Sequence, residues 1–373
     1  MPENTAKSYF IHISLFILTC ITTTLAGAEW QYGRSFIFFE NPLGWKEFWH
    51  GLYFSVPFLG VLTVHEFGHY ITAQLYKVRV TLPYYIPLWL GIGSFGTMGA
   101  FIRIKSPLHT RKEYFDIGIA GPLAGFVVAL GVLWYGFTHL PPPEYIFTIH
   151  PEYKQYGLNY ADYVYKDLTG NMSLGTNLLF LFFEKFVVDD PSRIPNMYEM
   201  AHYPFLLAGY LSLLFTALNL IPIGQLDGGH ILFSLIGFDR FNKIAPVLFV
   251  LFVFYSGLGL VSPFDTLDEL MVGLPLYIGF LFITFSRITS DMKNTLLLSL
   301  AVLAIQFTLV AFIPGLKGYS GWLLFAFMIG RVLGVYHPPV LYEQPLSVGR
   351  QILGWLALGI LIISLSPEPF IIS

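Results

Sequence analysis

The sequence predicts an all-α polytopic membrane protein, with about nine transmembrane helices and a small β-hairpin element between the second and third spans. Three observations predict it. The chain is 55% hydrophobic and only 12% charged, whereas a soluble domain carries about 25% charged residues to keep its surface solvated. Its mean hydropathy is +0.64. Its 373 residues also fall into apolar runs of about 20 residues, the length that crosses a hydrocarbon core. A soluble globular chain would expose far too much oil, and a disordered one lacks apolar content. The net charge of -3 carries no basic surplus, which argues against a nucleic-acid partner and leaves the lipid bilayer as the first one. Cys20 is the only cysteine, so an internal disulfide and a thiolate-rich metal cage are both excluded.

Apolar runs bounded by charge or proline place the spans at roughly 9–27, 50–76, 113–138, 203–221, 242–261, 271–288, 295–314, 319–335 and 347–365. The first run also resembles a signal peptide, with Lys7 before it and Ala26-Gly27-Ala28 imitating a cleavage site. Its length and the polar stretch Thr22–Thr24 fit either reading, and a retained span is the one favoured here. The connection 77–112 holds Lys77, Arg79, Arg103, Lys105, Arg111 and Lys112 without an acid before Glu113. The connection 139–202 instead carries Glu144, Glu152, Asp162, Asp167, Glu184, Asp189, Asp190 and Glu199. Basic loops stay on the cytoplasmic side, so 77–112 is expected inside and 139–202 outside. Within the latter, Asn177–Val188 is apolar but too short to span, and it is expected at the interface. Three parts result: 1–49 with the first span and an external loop, a core over 50–240 with 139–202 inserted, and C-terminal spans over 241–373.

The second span contains Val64-His65-Glu66-Phe67-Gly68-His69-Tyr70. His65 and His69 stand one helical turn apart on one face, so both imidazoles can reach one metal ion. Glu66 is rotated by about 100° from His65, near enough to act on an attacking water without being a ligand. Ionisable groups at this depth are costly, on the order of 2.5–3.5 kcal/mol for an unpaired acid. A metal in a wet cavity offsets that cost better than a purely structural polar knot. Two histidines leave a zinc site short of a third protein ligand. The candidate lies in Asn219-Leu220-Ile221-Pro222-Ile223-Gly224-Gln225-Leu226-Asp227-Gly228-Gly229-His230, where Pro222 stops a helix and the glycines permit a sharp turn. Asp227 is the only acid between Glu199 and Asp239. Its alternative role is a cap on the following helix, and His230 is a rival ligand.

The HEFGH stretch on one span and NLIPIGQLDGG on another, far downstream, resemble the site-2 protease family of intramembrane zinc metalloproteases, over roughly 50–236. The resemblance implies one zinc ion held by His65, His69 and Asp227, with Glu66 as the catalytic base. Asn219 and Pro222 match the family's N-x-x-P, which implies that Asn219 helps hold substrate or the oxyanion. Gly91–Lys105 resembles the family's glycine-containing hairpin, which pairs with extended substrate and makes Gly96 and Gly99 candidate substrate contacts. The alternation over Phe101–Lys105 independently reads as a strand. Ala120–Gly125 resembles a further family signature, and with Gly118 it forms a small-residue face suited to helix packing. The expected activity is hydrolysis of peptide bonds in a membrane-spanning protein substrate. The location implied is a multi-pass membrane protein, in the plasma membrane if the chain is bacterial, with its site towards the cytoplasmic side. The alternative from another class is a non-proteolytic scaffold or metal carrier. A carrier would need more polar intramembrane groups along a path than the two motifs supply.

Overall fold

The computed structural model describes residues 5–37, 41–166, 170 and 172–372; Asp167, counted above among the acids of the 139–202 connection, lies outside them. The chain divides into two compact units. The first holds Met1–Leu108, Asp116–Asn219 and Gly359–Ser373, and the second holds His109–Phe115 and Leu220–Leu358.

In the first unit, helix α1 (Thr5–Tyr32) packs along α2 (Leu52–Leu75). Their polar contact is buried, with the hydroxyls of Thr23 and Ser55 2.8 Å apart. Strands β1 (Tyr84–Leu88) and β2 (Gly96–Phe101) then pair antiparallel, Tyr84 opposite Phe101 and Leu88 opposite Gly96, with an irregularity between Tyr85 and Pro87. The hairpin element is thus where the sequence places it, between the second and third apolar runs. Its ladder covers 96–101 rather than the alternating Phe101–Lys105. Pro83, next to Tyr84 and without an N–H, interrupts the pairing there. Beyond it the pairing resumes as an isolated antiparallel bridge of Val80 with Ile104, flanked by the Thr81 amide donating to the Arg103 carbonyl at 3.0 Å and the Lys105 amide donating to the Arg79 carbonyl at 2.7 Å.

Helix α3 (Arg111–Thr138) follows. The 139–202 connection is built of short turns and helix α4 (Leu178–Phe186), capped by Asn177, whose side chain accepts from the Phe180 amide at 2.8 Å. Helix α5 (Pro204–Leu220) closes the core of this unit, and a two-stranded antiparallel ribbon, β3 (Met172–Leu174) with β4 (Phe370–Ile372), closes its end.

The second unit contains α6 (Asp227–Ile236), α7 (Phe238–Gly257), α8 (Leu267–Phe285), α9 (Met292–Phe312) and α10 (Trp322–Met328), the last running on as a π turn over Ile329–Leu333. Gln306, 1% exposed, ties three of these helices. It accepts from the Tyr277 hydroxyl at 3.0 Å and donates to the Phe254 carbonyl at 2.7 Å. Such a bond satisfies polar groups that would otherwise be stranded in an apolar interior.

Among the described residues, four helices are long and apolar enough to cross a membrane: Ala6–Tyr32, Arg111–Thr138, Leu267–Phe285 and Met292–Phe312. The expectation of about nine full spans is therefore met only in part. The other apolar runs are also helical, but Pro204–Leu220, Trp322–Leu333 and Val348–Ser364 are shorter. At 1.5 Å per residue, 17 residues reach about 26 Å, less than a hydrocarbon core of about 30 Å. Helix α2 is long but carries its two histidines and glutamate, and α7 begins on Asp239, Arg240 and Lys243.

Candidate metal centre

Helix α2 delivers the motif to the interior of the first unit. His65, Glu66 and His69 are 4%, 3% and 6% exposed. The 3.6-residue period turns both imidazoles to one side, and their Nε2 atoms stand 3.1 Å apart. Two ligands of one tetrahedral zinc, each about 2.0–2.1 Å from the metal, are about 3.3 Å apart. His69 Nδ1 lies 2.7 Å from the Ile117 carbonyl oxygen. A carbonyl only accepts, so Nδ1 carries the proton and Nε2 presents its lone pair. Glu66 Oε1 is 3.9 Å from His65 Nε2, beside the ligand pair and on a different azimuth of the helix. The donors present fit a zinc-type cation.

The neighbouring helices shape this site by close approach. Helix α3 lays Ala120 and Gly121 against Gly68 of the motif, where a Cβ would come 2.7 Å from the Ala120 carbonyl oxygen. A Cβ on Gly121 would stand 2.2 Å from His69 Nε2, so glycine there keeps the ligand atom's space clear. The small-residue face on 118–125 serves helix packing, as its spacing suggests, and the helix it packs against is the one bearing the histidines. Helix α5 approaches from another side, with Phe215 edge-on to Phe58 at 5.5 Å. It carries Asn219 to the site, Nδ2 lying 3.4 Å from His65 Nε2. A narrow cleft lined by Phe58, Leu62, His65, Phe215, Thr216 and Asn219 runs beside them.

The remaining candidates fall as follows. Gly96 and Gly99 lie on β2 with positive φ of 76° and 105°. Gly96 is pressed onto α1, where a Cβ would meet Thr23 Cα at 2.3 Å, and its carbonyl accepts from the Thr22 hydroxyl at 2.6 Å. Gly99 faces the Phe215 ring, 3.7 Å from where its Cβ would be. Asp227 belongs to the second unit, at the first position of α6, directly after the N-cap residue Leu226. The turn before α6 is tight, and a Cβ on Gly228 would stand 1.9 Å from the Leu220 carbonyl oxygen. His230 Nδ1 lies 3.0 Å from His337 Nε2 and is engaged there. The Ile117 carbonyl was not foreseen: a backbone acceptor leaves no signature in residue type.

The profile of Peptidase family M50 matches residues 53–262. A rice protein named probable zinc metalloprotease EGY2, chloroplastic (Oryza sativa subsp. indica), is 28% identical over 249 residues, 66% of this chain and 40% of that protein. The probable zinc metalloprotease EGY1, chloroplastic, of Oryza sativa subsp. japonica is 31% identical over 189 residues, 48% of this chain and 28% of its own. Its Arabidopsis thaliana namesake is 30% identical over 178 residues, 46% and 27% respectively. The matches thus span well under half the length of these relatives. No solved structure matches the chain. With the matched segment covering more than half of its length and containing the HEFGH helix, the chain belongs to peptidase family M50, the site-2 protease family.

Proposed function

We propose that this protein is a zinc-dependent intramembrane endopeptidase that hydrolyses a peptide bond in a membrane-spanning protein substrate. The observation that carries the reading is the buried pair of Nε2 atoms on α2, 3.1 Å apart, with Glu66 beside them. Relatives named zinc metalloproteases support the same cofactor. His65, His69 and Asp227 each offer one ligand atom, and together they supply the three protein ligands of a hydrolytic zinc site. Zinc, when bound, polarises a carbonyl and lowers the pKa of water. Glu66 takes the proton of the attacking water at its carboxylate and returns it to the leaving amine. The Asn219 amide, an N–H donor next to His65, stabilises the developing oxyanion. The β1–β2 hairpin holds the substrate extended by strand addition, since a helical substrate keeps its carbonyls bonded. Helix α2 and the shorter helices lie in the bilayer within the bundle, around a catalytic core over 50–240, with the site on the cytoplasmic half.

The test is membrane-fraction proteomics of cells carrying the wild-type chain against Glu66→Gln. Uncut membrane proteins should accumulate with the variant. Identical profiles from a well-expressed variant would overturn the protease reading in favour of a scaffold.

A further inference from the structure

The first unit contains a second convergence of ligand atoms, away from α2, in the 139–202 connection. His150, Glu199 and His202 place one donor each within 4.8 Å of one another. The Nε2 atoms of His150 and His202 are 3.4 Å apart. Glu199 Oε2 stands 3.4 Å from His202 Nε2 and 3.9 Å from His150 Nε2. We propose that these three residues form a second metal site, for a divalent cation of the zinc type, that fastens this connection to the end of α1.

Each ligand atom is prepared by its other contacts. His202 Nδ1 lies 3.0 and 2.9 Å from the carbonyl oxygens of Trp30 and Gln31 on α1. Both partners only accept, so Nδ1 carries the proton and Nε2 is bare. His150 Nδ1 lies 3.0 Å from Glu152 Oε1, a carboxylate–histidine pair of the kind that orients metal ligands. The His150 ring is stacked on Tyr153, centroids 4.6 Å apart. Glu199 is 1% exposed. Its Oε1 accepts from the Tyr165 hydroxyl, while Oε2 has no hydrogen-bond partner. A buried carboxylate oxygen left unsatisfied keeps its full desolvation penalty, and two bare imidazole nitrogens facing it add repulsion. A positive charge at the common point removes both penalties. The spacings of 3.4 Å match the roughly 3.3 Å between ligands of a tetrahedral zinc. Two imidazoles and a carboxylate are a borderline donor set that suits zinc better than calcium or magnesium. The rival occupant is a proton on His150 shared with Glu199.

The experiment is zinc binding by the full chain in nanodiscs, stripped with a chelator, titrated with ZnCl2, desalted and measured by atomic emission. The wild type should retain two equivalents. His65→Ala/His69→Ala should retain one, and zinc should slow limited proteolysis of its 139–202 connection. Adding His150→Phe, which preserves the ring stack, or the isosteric Glu199→Gln should remove that equivalent. If His65→Ala/His69→Ala binds no zinc while the wild type binds one, the second site does not exist and a proton occupies the cluster. A wild type with one equivalent that survives His65→Ala/His69→Ala but is lost in His150→Phe supports the second site. That pattern counts instead against zinc at α2, so the two readings fail separately.

Discussion

At the scale of single residues, Glu66 and the two histidines are separable by what each substitution removes. Glu66→Gln keeps shape and volume but cannot take a proton. Zinc content measured by atomic emission should stay the same, while cleavage of a reporter substrate in proteoliposomes falls on the order of 10²–10⁴-fold. A variant that cleaves within a factor of two of the wild type would remove Glu66 from the role of base. Asp227 and Asn219 give the complementary comparison. Under the proposed roles, Asp227→Ala removes a charged ligand and should lower zinc affinity far more than Asn219→Ala. Asn219→Ala should instead lower kcat with little change in zinc content, because an oxyanion donor acts in the transition state. Equal zinc affinities for the two variants would move Asp227 out of the ligand set.

At the scale of elements, the site depends on helix packing as much as on its donors. Gly121 and Gly131 share helix α3, yet a Cβ at Gly121 would meet His69 Nε2 at 2.2 Å, and one at Gly131 would meet nothing within 4 Å. Gly121→Ala should therefore cost zinc affinity and activity, whereas Gly131→Ala should leave both unchanged, with helix propensity favouring alanine by up to about 1 kcal/mol. Zinc titration of the two variants side by side checks this. The hairpin offers a matched pair as well. Gly93 and Gly96 both have positive φ, 89° and 76°, where a side chain costs about 1–2 kcal/mol. Gly93 has open space around it, while a Cβ on Gly96 collides with the backbone of Thr22 and Thr23. Gly96→Ala should lower the thermal unfolding midpoint in detergent clearly more than Gly93→Ala. A smaller effect at Gly96 would show that the hairpin is not held by α1.

At the scale of the whole molecule, the proposed orientation follows from basic residues in 77–112 and acids in 139–202. Lys112 and Asp162 are both exposed. Replaced singly by cysteine in a Cys20→Ser background, they should react with an impermeant maleimide from opposite sides of sealed vesicles. Labelling of both from one side would overturn the topology, and labelling from opposite sides in the reverse sense would invert it.

Much of this molecule was legible in its residues, and the reasons are local. Apolar composition identifies a membrane chain because burial in lipid and exposure to water demand opposite surfaces, whatever the packing. HEFGH is readable because a helix brings positions 65 and 69 together by its own period, with no help from the rest of the chain. The hairpin's place between the second and third apolar runs was visible for a similar reason, though its ladder covers 96–101 and touches the alternating 101–105 stretch beyond Phe101 only as an isolated bridge at Ile104. What only the tertiary structure decided is everything that depends on contact between distant segments. Asn219 stands beside His65 across 154 residues, a proximity the sequence signalled only through family resemblance. Ile117 sets the tautomer of His69 through a backbone oxygen, a group that every residue carries, so only the packing of the helices decides which one meets the imidazole. The cluster of His150, Glu199 and His202 follows no motif spacing at all, because turns rather than one helix bring its three side chains to a common point.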